Sequence, residues 1–227
     1  MRPALHRIGN EQAPVVVIDG FSGRLDEILN LADALAPYPE IAGSYYPGVR
    51  RVITAADRAN DYVEKSCGEA GQFIAGAFDI DKFKLLEASF SIVTTDPADL
   101  SSPQRAPHFD SPDPKHFAML HYLRVPTGSG TAFYRQRATG IERVTERNIA
   151  QFVTAAERDA AQLKAGSGYI NSSDRFFEQI AAFEAIPDRL LIYQGGLLHS
   201  GIIPAGMNFS ADPQRGRLTA NFFLLGR

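Results

Sequence analysis

Two histidines and an aspartate, His108, Asp110 and a distant His199, make a ligand set that can hold a divalent metal and leave it reactive. In an extended segment, side chains two apart share a face, so His108 and Asp110 can approach one ion together when Phe109 turns away. The third ligand can come from any strand that the fold lays alongside, which makes the long gap before His199 acceptable. Two neutral imidazoles and one carboxylate occupy one face of an octahedral ion, and the opposite face stays open for further ligands. That arrangement suits chemistry, beyond metal storage.

A His-x-acid triplet alone says little, because the chain holds five histidines and 26 acidic residues among 227. At that composition such a triplet arises by chance in roughly one chain of two. Its setting is more informative. Pro107 precedes it, a turn-rich stretch at 111–114 follows it, and His199 is framed by Gly195, Gly196 and Gly201. Downstream, Arg217, Thr219 and Asn221 alternate with Leu218, Ala220 and Phe222, so a strand there carries one polar and one apolar face. An edge strand with a solvated face would explain this alternation alone; beside the triad, a polar cavity explains it better. His116 and His121 are alternative ligands, but neither has an acid two positions on, and His121 in an apolar strand reads as a hydrogen-bonded core histidine.

These residues resemble the Fe(II)/2-oxoglutarate-dependent oxygenase superfamily, whose pattern is His-x-Asp/Glu, a distant His and a basic residue some way beyond it; the likeness is to an uncharacterised bacterial family within it, and runs from about Phe83 to the C-terminus. It implies that His108, Asp110 and His199 hold Fe(II), that Arg217 pairs with the far carboxylate of the co-substrate 2-oxoglutarate, and that Thr219 assists it. A guanidinium fork fits a carboxylate bidentately. Arg215, on the same strand face but nearer a loop at 208–213, competes for that role. Tyr122 and Tyr134 can reach the co-substrate or substrate from neighbouring strands, with packing as the default for both. The implied activity is oxygenation, most simply hydroxylation of a small molecule or protein, and Asp110 argues against the halogenating branch. Two rivals stand beside it: a non-catalytic jelly-roll protein that binds a metal or ligand, and metal-assisted hydrolysis with the same ligands.

The expected scaffold is α+β, a double-stranded β-helix (jelly roll) with helical support, in one domain over 1–227. Residues 1–82 are expected to be mainly helical support, apart from a strand at 13–18, with helices from Ser22 to about Leu35 and over 55–78 and a loop over 38–48. Ser22 is the expected cap of the first helix. Residues 83–227 are expected to form the β core, with strands at 83–95, 115–125 and 188–193. A hairpin is expected to join 115–125 to 131–134 through Gly128-Ser129-Gly130. Leu86, Ala88, Phe90 and Ile92 are expected to share the apolar face of the first of these strands. A helical insertion over about 145–183 carries Phe152, Phe176, Phe177, Ile180 and Phe183; it suits a lid or a dimer contact. Arg135, Arg137, Arg143 and Arg147 cluster near its start.

The 44% hydrophobic content allows a sizeable core, and a formal charge of −3 with a pI near 6.0 gives no general attraction for nucleic acid or an anionic membrane. No secretory leader or membrane span is legible, so a cytoplasmic protein is expected, with no nucleic-acid or membrane partner and with a homodimer left open. The single cysteine, Cys67, precludes an internal disulfide and reads as a packed structural thiol.

Overall fold

The computed structural model describes residues 1–40, 45–160, 162 and 168–227. The chain folds as mixed α/β, dominated by antiparallel strands: β1 (Arg2–Ile8), β2 (Ala13–Asp19), α1 (Leu25–Ala34), β3 (Gly48–Val52), α2 (Asn60–Phe78), β4 (Phe83–Val93), β5 (His116–Arg124), β6 (Gly130–Gln136), α3 (Ile149–Ala160), β7 (Phe177–Glu184), β8 (Arg189–Gln194), β9 (His199–Ile202) and β10 (Arg217–Gly226). A larger sheet has the order β1-β2-β8-β5-β10-β4-β3, and a smaller one the order β7-β6-β9.

The two faces of the larger sheet have different fates. One carries Val16, Ile18, Ile192, Met119, Ala220, Phe222, Phe90 and Ile92 against Ile28 and Ala32 of α1 and Tyr62, Val63, Ala70 and Ile74 of α2. Each large side chain buried there contributes about 1.5–3 kcal/mol. The other face meets the smaller sheet, but only along part of its width. On β2, β8 and β5 it presents Val15, Val17, Leu191 and Leu120, which pack with Phe133. On β10 and β4 the same face turns polar, with Thr219 opposite Ser91 and Asn221 opposite Ser89, and the next strand places Arg50 opposite Ser91. The boundary between apolar and polar rows marks where the smaller sheet stops covering and a cleft begins.

Several expectations are corrected. Residues 1–82 supply three strands of the larger sheet besides two helices. The exposed β1 carries no apolar alternation, and β3 is only five residues long, which is why neither is legible locally. Helix α1 begins at Leu25 without a side-chain cap. Ser22 instead donates to Asp188 Oδ1 at 2.6 Å and accepts the N–H of Arg24. Strands β5 and β6 are not a hairpin: the Gly128–Gly130 turn carries the chain from one sheet to the other.

The helical reading of 145–183 holds over Ile149–Ala160, while 161 and 163–167 lie outside the described residues and Phe177–Glu184 is a strand. The cause is a bulge. Phe133 pairs with Ala181 and Tyr134 with Gln179, so Ile180 is the extra residue and the alternation shifts there. Phe177 then packs toward α3 while Ile180 and Phe183 pack between the sheets, a spacing that imitates a helical stripe. A second bulge does the same to Leu86: Phe223 pairs with Glu87 and Leu224 with Leu85, and Leu86 is pushed outward, 47% exposed. Ala88, Phe90 and Ile92 keep the expected buried face.

Three of the arginines near 135–147, Arg135, Arg137 and Arg143, are ion-paired. Arg135 bonds Glu142 and Glu178, and Arg143 bonds Glu11. Cys67 packs against the helical side of the core, and burial pushes its thiol up to about 11. Among the described residues no helix is long and apolar enough to cross a membrane.

Candidate metal centre

The first two sequence-predicted ligands are held by backbone bonds to the segment that carries the third. His108 donates its N–H to the His199 carbonyl at 2.9 Å, and His199 returns the bond at 2.8 Å. Asp110 donates its N–H to the Gly195 carbonyl at 2.7 Å. Gly195 is required by close approach: a Cβ there would stand 2.2 Å from His116 Nδ1. Phe109 turns away from the ligands and meets Phe152 of α3 edge-on at 5.7 Å. Helix α3 therefore backs the smaller sheet and fixes the ligand strand.

The ligand atoms of His108, Asp110 and His199 lie within 4.8 Å of one another. Asp110 Oδ1 is 3.9 Å from His108 Nε2, and Asp110 Oδ2 is 3.7 Å from His199 Nε2. Oδ2 is buried without a hydrogen-bond partner among the described residues, a costly state for a carboxylate oxygen that a cation would relieve. His199 Nδ1 lies 2.8 Å from the Leu197 carbonyl, which fixes the proton on Nδ1 and turns the Nε2 lone pair toward the site. Tyr193 packs edge-on against that ring at 4.9 Å. Desolvation, with His199 beside it, pushes His108 down to about 4, although its outer edge opens into the cleft. It is thus a neutral, lone-pair-bearing imidazole at neutral pH. Nitrogen and carboxylate donors in this facial set fit Fe(II).

The cleft bounded by the described residues has a volume of about 320 Å³ and reaches from the triad to Arg217 and Thr219. Arg217 is 5% exposed; its Nη2 donates to the Gly130 carbonyl at 3.3 Å, while Nε is buried without a partner among the described residues. Among the described residues no carboxylate pairs with it. A buried guanidinium without a counter-ion is a site waiting for an anion. Arg215 is exposed and does not line the cleft. Tyr122 does not line it either: the ring is fully buried, its hydroxyl donates to Thr131 Oγ1 at 2.7 Å, and burial pushes that hydroxyl up to about 12. It touches the pocket only indirectly, through its ring under Arg217 at 5.9 Å, and Thr131 takes the lining position. Tyr134 is likewise packed, its hydroxyl on the Ile170 carbonyl.

His121 is the core histidine that its strand suggests, with Nδ1 2.8 Å from the Tyr62 hydroxyl and Nε2 2.9 Å from Asp188 Oδ1. His116 is buried at the start of β5 and joins no metal group. Sequence reasoning missed Arg50, a second cleft-lining arginine. The adjacent Arg50 and Arg51 in a short segment gave no local signal of which one meets the cleft.

The model of a family described as a family of unknown function, DUF6445, matches residues 1–224. The chain belongs to DUF6445. No curated protein matches this DUF6445 chain in sequence. Solved structures match it in fold. HygX from Streptomyces hygroscopicus with iron bound superposes with a TM-score of 0.56 at 13% identity, over 94% of this chain and 83% of HygX. A 2OG-Fe(II) oxygenase family oxidoreductase from Burkholderia pseudomallei gives 0.53 at 11%, over 93% and 84%. A Pseudomonas putida prolyl-4-hydroxylase gives 0.50 at 14%, over 98% and 94%. At these identities the likeness is one of fold: this DUF6445 protein has the fold of the 2OG-Fe(II) oxygenases.

Proposed function

We propose that this protein is an Fe(II)/2-oxoglutarate-dependent oxygenase, most simply a hydroxylase of a small molecule or a protein side chain, built on a jelly roll whose walls are the two facing sheets. The observation that carries the reading is Arg217, a buried arginine without a counter-ion among the described residues, in the same cleft as an orphaned Asp110 oxygen and two histidines. A metal-storage site has no use for the first of these. HygX has also been solved with nickel and 2-oxoglutarate bound, which supports this choice of ligands for a shared fold.

In this reading His108, Asp110 and His199 hold the metal, and Arg217 with Thr219 receives the distal carboxylate of 2-oxoglutarate. The chemistry supplied there, when Fe(II), 2-oxoglutarate and dioxygen are bound, is oxidation of a C–H bond with release of succinate and carbon dioxide. The protein contributes placement and a restricted cleft. Leu197 holds His199 in one tautomer; the His108–His199 backbone pair keeps both imidazoles adjacent; the Gly130 carbonyl and the Tyr122 ring set the direction of the Arg217 fork.

The test is an anaerobic titration of the Fe(II)-loaded protein with 2-oxoglutarate, observed through the weak visible charge-transfer band of bidentate chelation. A saturable band supports the reading. Iron bound without any band would sink it and favour the non-catalytic jelly-roll protein.

A further inference from the structure

We propose that Arg50 is a substrate-binding residue and that the substrate presents a carboxylate to it. The inference rests on the oxygenase reading and names a substrate class for it: a small organic acid, or a group bearing a free carboxylate.

Arg50 and Arg51 are neighbours on β3 and point to opposite faces of the sheet. Arg51 is satisfied by structure, bonding the carboxylate of Asp57 at 2.7 Å and the Val52 carbonyl. Arg50 faces the cleft, opposite Ser91, which in turn pairs with Thr219. Its guanidinium lies over the rings of Tyr46 at 4.9 Å and Phe223 at 5.9 Å, contacts that hold the group without using its N–H donors. Nε is buried with no partner among the described residues. Its nearest carboxylate, Glu87, stands 3.6 Å from Nη1, beyond hydrogen-bond length, is more than a third exposed and does not line the cleft. Such a pair is weak and screened.

The charges of the proposed site leave Arg50 over. The carboxylate of Asp110 and the two carboxylates of 2-oxoglutarate balance a divalent metal and Arg217. A second cation held by ring faces, with its donor edge spare, then matches one further anionic group. A planar fork favours a carboxylate approached edge-on and bidentately. Arg50 lines the same cleft as His108, Asp110 and His199, so a molecule anchored there shares the cavity with the proposed metal centre. The cleft, at about 320 Å³, lies at the small end of ligand-sized pockets, consistent with a compact acid sharing it with the co-substrate.

The test uses protein loaded with Mn(II) and saturating 2-oxoglutarate, and a panel of N-acetyl amino acids with their matching N-methylamides as probes. Paramagnetic broadening of probe proton lines reports binding near the metal without turnover. The expected result is broadening by one or more acids and not by the matching amides, with affinity lowered tenfold or more in Arg50→Ala, partly kept in Arg50→Lys, and 2-oxoglutarate affinity changed less than twofold in both. Acids and amides broadened alike, no acid broadened, or acid binding unchanged in Arg50→Ala would each overturn the proposal. Loss of 2-oxoglutarate binding in Arg50→Ala would also overturn it, making Arg50 an anchor of the co-substrate. Failure of wild-type protein to bind 2-oxoglutarate defeats the oxygenase reading instead, and is read separately from the probe lines.

Discussion

His108 and His199 are bonded to each other through their own backbones, each N–H on the other's carbonyl at 2.9 and 2.8 Å. Two candidate ligands far apart in the chain thereby become neighbours across a β-bridge, with ring centroids 4.3 Å apart. Their spacing is set by the backbone bridge between them.

That relationship separates metal binding from folding. His108→Ala and His199→Ala each keep both backbone bonds, so each variant is expected to lose stoichiometric Fe(II) while its metal-free thermal unfolding shifts little, on the order of 1 kcal/mol or less for His108 at the cleft wall. Iron content by metal analysis beside calorimetry checks this. Unchanged iron in either variant would show the ligand set to be wrong.

Arg217 and Arg215 differ in burial, and so in their expected effects. On the proposed reading, removing Arg217 takes away charge-assisted bonds to the co-substrate worth about 1.5–3 kcal/mol, so Arg217→Ala is expected to weaken 2-oxoglutarate binding roughly tenfold to a hundredfold. Fe(II) affinity should change far less. Arg215→Ala, at an exposed position, should leave both constants unchanged. Anaerobic titration of the two variants decides between them, and a reversed pattern would move the role to Arg215.

The Gly195 position couples His116 to Asp110. A methyl group there meets His116 Nδ1, and the Gly195 carbonyl holds the Asp110 N–H. Gly195→Ala is expected to cost about 1–3 kcal/mol of stability through overpacking and to weaken Fe(II) binding as well. Adding His116→Ala should restore part of both, a non-additive pair in a double-mutant cycle. Strict additivity would mean that the two side chains do not meet.

Acid stability reports the network under α1 and α2. Desolvation lowers the pKa of His121 below its ordinary value. Burial alone would raise Asp188, but bonds from His121, from the Ser22 hydroxyl and N–H and from the Gly23 N–H outweigh it and hold the carboxyl well below the usual range. Both groups bind fewer protons folded than unfolded, so stability falls with falling pH: first below about 6.5, where an unfolded histidine charges, then below about 4, where an unfolded aspartate protonates. Urea midpoints measured across pH 3–8 should show both legs, and Asp188→Asn should shrink the lower one, leaving the part carried by Asp19, Asp57 and Glu142. A flat profile would contradict the network.

Much of the candidate site was legible because its signals are local. A period of two puts His108 and Asp110 on one face, and the same period separates Arg217, Thr219 and Asn221 from the apolar residues of β10. Arg50 was not legible, since a five-residue strand with two adjacent arginines shows nothing of which one meets a cleft. The bulges at Ile180 and Leu86 hid in the same way, because an extra residue is visible only against the strand it opposes.

The sequence by itself determined the candidate ligand types, the polar face of the last strand and the apolar rows of the larger sheet, all consequences of side-chain chemistry and strand period. Tertiary structure alone decided that β10 is central and not an edge, that β5 and β6 belong to different sheets, and that Arg217 and Arg50, not Arg215, face the cleft. Each of those depends on pairing between residues remote in the chain, where the register that wins is the one that covers the most apolar surface, a property no single segment carries.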